Sequence, residues 1–169
     1  LKPEVLRGKQ LFNDAFDGRL AADSYIACAH CHLDGESDLR TWDFSDRGEG
    51  LRNTPSLHGR AGMGHGPVHW SANFDEIQDF ENDIRGHFGG KGLLSDADFT
   101  ATKDTMGPEK AGKSADLDAL AAYLETLKSY PRSPFREADG TFTKAALRGK
   151  KLFESTETKC TQCHKGPHL

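Results

Sequence analysis

Val5, Gly8, Phe12 and Phe16 recur at helical spacing, and Pro3 just ahead of them suits a first helical turn. The chain is therefore expected to open with a helix, which "NDAFDGRLAADS" (Asn13–Ser24) breaks. From Leu33 to Trp70 it is rich in Gly, Pro, Asp and Arg without a sustained period, and this predicts loop. A second helix is expected in "NFDEIQDFENDIRGHF": Asn73 with Glu76 can form a capping box, Ile77, Phe80 and Ile84 make an apolar stripe, and Gly89 ends it. A third, "SADLDALAAYLETLK", has Ser114 as N-cap, a stripe of Leu117, Leu120, Leu124 and Leu127, and Lys128 near the negative end of its dipole. After a Pro- and Ser-rich stretch, a fourth helix is expected around Thr143–Phe153. No alternating pattern stands out, so the sequence predicts an all-α fold.

An internal repeat organises these elements. "LRGKQLF" at Leu6–Phe12 returns as "LRGKKLF" at Leu147–Phe153, agreeing at six of seven positions, and each copy leads to a Cys-x-x-Cys-His. The chain reads as one complete unit over 1–128, a linker at 129–140, and the opening of a second unit at 141–169. That second unit has an entry helix but no closing helix. The start "LKPEVLRGK" lacks a methionine and reads as a mature or excised fragment.

Composition changes this picture in one respect. A hydrophobic content of 36% with 18 glycines is lean for a self-sufficient core, and a large cofactor could supply the missing apolar volume. The net charge of −4 is spread along the chain. No basic stripe suggests nucleic acid, and no apolar run approaches the roughly 18–20 residues of a membrane span.

All four cysteines fall within "CAHCH" (Cys28–His32) and "CTQCH" (Cys160–His164). Two thiols at this spacing can each form a thioether to one haem vinyl group, and the following histidine is then held beneath the iron. This is the c-type haem attachment pattern. A four-cysteine zinc site would leave both histidines unexplained, and a thioredoxin-like dithiol would expect a βαβ context. The sequence therefore predicts haem c at Cys28, Cys31 and His32, with a second attachment motif at Cys160, Cys163 and His164. The glycines of "GMGHG" follow no strand and open no helix, which excludes a dinucleotide fingerprint.

"LRGKQLF…CAHCHLDG…LRNTPSL…HW…DEIQDF" resembles the first domain of the bacterial di-haem cytochrome c peroxidase superfamily, with Arg52, Asn53, Pro55, Trp70 and Gln78 matching its order of residues. "AALRGKKLFESTETKCTQCHKGP" is similar to the opening of that family's second haem domain. Gly8 and Phe12, with Leu120 and Tyr123, are similar to the crossed terminal helices of class I cytochromes. The resemblance implies a class I cytochrome c-like domain followed by the start of a second. The Pro55 carbonyl is a candidate acceptor for the His32 ring N–H, and Trp70 a candidate neighbour of the cofactor.

For the far side of the iron the family often places a histidine between Cys-x-x-Cys-His and the Arg-Asn-x-Pro stretch, but 33–52 contains none. The candidates are His65, His69 and Met106, followed by Met63, His58 and His87; His30 and His168 read as bystanders. The expected function is electron transfer by haem c in an exported di-haem cytochrome, periplasmic or at the cell surface. Its expected partners are a redox protein and the remainder of the second haem domain. The alternative is a di-haem peroxidase or oxidase. Its acidic residue is missing, because "RGHFGGKG" offers His87 and Phe88 but no carboxylate, and Glu81 and Asp83 lie within the predicted helix.

Overall fold

A glycine lets two helices cross at the centre of the larger unit. In a computed structural model, which describes residues 1–130 and 132–165, the chain divides into two compact units, Leu1–Ser129 and Tyr130–Leu169. His168 and the Gly166–Pro167 pair lie outside the described residues. Helix α1 spans Pro3–Asn13, with proline in its first turn, and buries Gly8, Leu11 and Phe12. It packs against α5, Ala115–Leu124, whose Ser114 cap accepts from the Leu117 N–H at 3.4 Å. A Cβ on Gly8 would stand 1.8 Å from the Ala119 carbonyl oxygen, so only glycine allows this approach. Phe12 meets Tyr123 edge-on, ring centroids 5.2 Å apart, and Leu11, Leu20, Ile84, Leu94, Leu117 and Leu120 complete the core. At the rim Arg7 forks onto Asp116 at 2.8 and 2.7 Å, and Arg19 reaches the same carboxylate at 2.9 Å.

The helix ends sooner than its apolar spacing predicts. Asp14 turns extended and its carboxylate accepts the Phe16 N–H at 2.8 Å, an Asx turn that leaves Phe16 exposed.

The all-α, class I cytochrome c-like fold expected from the sequence is corrected by the structure, which is mixed. Strands β1, Thr41–Phe44, and β2, Gly50–Asn53, pair antiparallel with Thr41 opposite Asn53 and Phe44 opposite Gly50. Gly48, at φ +82°, closes the connection in a left-handed conformation. This hairpin lies in the stretch expected to be loop.

The second predicted helix also forms differently. It starts with a single 3-10 turn, Ile77–Asp79, and continues as α3, Phe80–Arg85, ending at Gly86 rather than Gly89. The Asp79 carboxylate accepts from the N–H groups of Asp75 and Glu76 at 3.1 and 3.2 Å. It also pairs with Lys110 Nζ at 2.6 Å, both side chains shut away from solvent. The Glu76 carboxylate is spent on the backbone N–H groups of Lys110 and Ala111, so the Asn73–Glu76 box does not form. Fully buried Glu81 accepts from the N–H groups of Leu93 and Leu94 and from Arg85 Nε. A short helix α4, Asp96–Ala101, follows, capped by Ser95.

In the smaller unit α6 spans Lys144–Phe153, with Thr143 capping it at 3.2 Å to the Ala146 N–H, and no residue of α6 is buried. Among the described residues no helix is long and apolar enough to cross a membrane.

Candidate functional site

The first cysteine motif forms one helical turn, α2, Cys28–Cys31, which packs against α1 with Ala29 against the core. His30 caps it from within, its Nδ1 accepting the Ala27 N–H at 3.0 Å. The chain leaves the helical path at His32, whose N–H still bonds the Cys28 carbonyl at 2.9 Å. Gly35, at φ +82°, then turns it back, and a Cβ there would press within 3.0 Å of His58 Nε2 and 3.1 Å of Leu127 Cδ1. The Leu57 N–H bonds the Gly35 carbonyl at 2.8 Å, laying the segment after β2 beside the motif.

This pairing brings His32 Nδ1 to 3.1 Å from the Pro55 carbonyl oxygen. A carbonyl can only accept, so Nδ1 carries the proton and the lone pair sits on Nε2. Burial pushes the His32 pKa below 6.5, against the opposing pull of the Pro55 carbonyl and Asp38, and the ring is neutral at pH 7. Trp70 braces the same segment two residues earlier. Its indole N–H donates to the Asn53 carbonyl at 2.8 Å, while the ring is exposed.

Cys28 and Cys31 are free thiols. Cys28 is solvent-accessible, yet crowding by surrounding protein pushes its thiol up to about 11. Burial, with Asp38 nearby, also raises Cys31. Both are protonated at neutral pH and are weak nucleophiles as they stand.

His69 uses both ring nitrogens, Nδ1 at 3.1 Å from Asn73 Oδ1 and Nε2 at 3.2 Å from Asp83 Oδ2, between the rings of Phe74 and Phe80. His58 Nε2 bonds the Asp34 carbonyl at 3.0 Å, and His87 Nδ1 lies 3.1 Å from Asp46. Met106 and His65 are exposed, while Met63 is half-buried. Gln78 donates to Asp118 at 2.8 Å, a structural bond, and Arg52 to the Leu51 carbonyl at 3.0 Å. Sequence reasoning missed the buried carboxylates Asp79 and Glu81, whose apolar neighbours Ile77, Phe80 and Ile84 were the only hint of burial.

In the smaller unit, Cys160–Gln162 form a single 3-10 turn after Lys159, and the His164 N–H bonds the Cys160 carbonyl at 2.9 Å. The His164 ring stands 6.2 Å from that of Phe153.

No protein-family model matches the chain. Hydrazine synthase subunit gamma of Kuenenia stuttgartiensis is 31% identical to it over 171 residues, covering 98% of this chain and 44% of that protein. The chain thus spans less than half the length of this curated relative. A solved structure of Kuenenia stuttgartiensis hydrazine synthase pressurized with 20 bar xenon is 28% identical. It superposes with a TM-score of 0.63 over 99% of this chain and 50% of that one.

These findings correct what the sequence led us to expect. The likeness is to hydrazine synthase and not to the di-haem cytochrome c peroxidase superfamily, in sequence and in fold. The electron-transfer cytochrome and the di-haem peroxidase or oxidase give way with it. So does haem c as the expected cofactor. Among the described residues no group of three or more His, Cys, Asp or Glu side chains could hold a metal ion.

Proposed function

We propose that this chain is part of a subunit of a hydrazine-synthase-type enzyme, a bacterial assembly of several different polypeptides located outside the cytoplasm. The observation that carries this reading is likeness along the whole chain, 31% identity over 98% of it in sequence, with a fold match over 99%. The partners are then the other subunits of that enzyme, in place of a soluble redox protein or the rest of a haem domain. The larger unit, 1–128, is the functional module, followed by a linker at 129–140 and the second unit at 141–169.

Cys28, Cys31 and His32 form the candidate functional turn of this module. Pro55 fixes the imidazole, and Trp70 holds the segment that carries Pro55. Cys160, Cys163 and His164 form a second turn of the same kind. The test is affinity purification of the tagged full-length protein from its host. The other synthase subunits are expected to co-purify and the assembly to form hydrazine. His32→Ala is expected to abolish hydrazine formation while the subunits still co-purify. A protein that purifies alone, without other synthase subunits, refutes the reading.

A further inference from the structure

The turn between Val68 and Phe74 closes around a histidine. The Val68 N–H bonds the Phe74 carbonyl at 2.9 Å, and the Ala72 N–H bonds the His69 carbonyl at 3.2 Å. His69 and Ala72 both sit at positive φ, +67° and +50°. A residue other than glycine is strained there, and such strain persists only where surrounding contacts enforce it. His69 has those contacts. Its ring centroid lies 3.9 Å from that of Phe74 and meets Phe80 edge-on at 4.9 Å, and its side chain is 11% exposed. Its Nε2 is 3.2 Å from Asp83 Oδ2 and its Nδ1 3.1 Å from Asn73 Oδ1. Phe80 and Asp83 both belong to α3, so the imidazole fastens the turn to that helix.

The fastened turn presents Trp70. The Trp70 residue is 53% exposed, so packing does little to place it, and its indole N–H reaches the Asn53 carbonyl at 2.8 Å because the turn backbone is held. Asn53 ends β2, and two residues on, the Pro55 carbonyl takes the His32 Nδ1–H at 3.1 Å. We infer that His69 is a positioning residue for the His32 imidazole, acting through Trp70 and the 53–55 segment. Asp83 and Phe80 hold the His69 ring, and that ring holds the turn. Trp70 then holds the segment whose carbonyl selects the His32 tautomer. The consequence for hydrazine formation rests on the reading of Cys28–His32 as the functional turn, whereas the effect on the His32 ring does not.

The test is His69→Gly in the full chain. Glycine adopts φ +67° without strain, so the change removes the ring and leaves the backbone of the turn permitted. Nitrogen NMR of labelled histidine is expected to show His32 as the Nδ1–H tautomer in the parent and as a mixture of both tautomers in the variant. Solvent exchange of the Trp70 indole N–H should quicken at least about tenfold, while amide exchange of Leu120 and Tyr123 in α5 stays as in the parent. Trp70→Phe should shift the His32 tautomer in the same way. An unchanged His32 tautomer in His69→Gly overturns the inference. So does an equal quickening of exchange in α5, which would mean that the ring only supports stability at large. In the purified assembly, His69→Gly is expected to lower hydrazine formation while the subunits still co-purify. An unchanged rate beside a shifted tautomer would fault the functional turn and leave the positioning role standing.

Discussion

Replacing Gly8 by alanine adds one methyl group where the structure has no room for it. That carbon would stand 1.8 Å from the Ala119 oxygen, 2.5 Å from its carbonyl carbon and 2.8 Å from Tyr123 Cβ. The nearest atoms are backbone, so no side-chain rotation relieves the collision, and α1 must retreat from α5 by roughly 1.5 Å to restore ordinary contact. Overpacking of this kind costs about 1–3 kcal/mol, and a backbone obstacle places it at the upper end. The retreat also loosens Leu11, Phe12, Leu117 and Leu120, which a static collision ignores. Alanine returns about 1 kcal/mol of helix propensity. The net loss is expected to be about 2 kcal/mol. Both tryptophans, Trp42 and Trp70, lie in the larger unit, so the urea midpoint followed by fluorescence reads that unit alone. Gly149→Ala, with no neighbour within 4 Å, is the matched control and should leave this midpoint in place. A Gly8→Ala midpoint equal to or above that of the parent would refute the close crossing.

The buried Lys110–Asp79 pair, 0% and 1% exposed and 2.6 Å apart, gives a second expectation. Lys110→Met leaves a shut-in carboxylate and should cost about 3–5 kcal/mol, and adding Asp79→Asn should recover part of it, because the amide oxygen still accepts from Asp75 and Glu76. Equal midpoints for the single and double variants would contradict this. Acid should weaken the rim of the helix crossing. The hydrogen bonds from Arg19 to Asp17 and from Arg7 to Asp116 hold both carboxyls below the ordinary 3.8. The folded state therefore binds protons less readily than the unfolded chain. The stabilisation is present above about pH 4 and is lost as pH falls through 3.8 toward the lower folded values. Urea midpoints between about pH 5 and 2.5 should show this fall, and Asp116→Asn should flatten it.

Helix α1 and the core face of α5 were legible because their signals are local. Pro3 and Ser114 mark the starts, and the positions of Gly8, Phe12, Leu117 and Leu120 have a single reading at helical spacing. The hairpin of β1 and β2 was not legible. Four-residue strands joined through Gly48 are too short for alternation to emerge from a loop-like composition. The capping of α3 was misread because Glu76 has two sets of N–H groups within reach, its own helix start and the distant Lys110–Ala111 pair, and spacing cannot tell which wins. The surroundings of the distal histidines were not legible for the same reason. Whether His69 is available depends on Asn73 and Asp83, a matter of folding and not of the Gly-rich loop around it. The family assignment failed because its motifs were few and short with loose spacers, whereas the likeness to hydrazine synthase is spread thinly over 171 aligned residues.

The repeat isolates what a seven-residue pattern can and cannot carry. "LRGKQLF" and "LRGKKLF" both form helix, both start from a favourable first turn, and both keep glycine at the third position. Those are properties of the segment itself, and they came through in both copies. Burial did not. Leu11 is 1% exposed and Leu152 58%, although the residue and its local surroundings are nearly the same. The difference is α5, which stands more than 100 residues from α1 in the chain and supplies the carboxylate for Arg7, the carbonyl against Gly8 and the ring against Phe12. An amphipathic pattern therefore specifies a demand for a partner, and its glycine and charge specify that partner's shape and sign. On α1 the demand is met. On α6, among the described residues, the same pattern lies open to solvent.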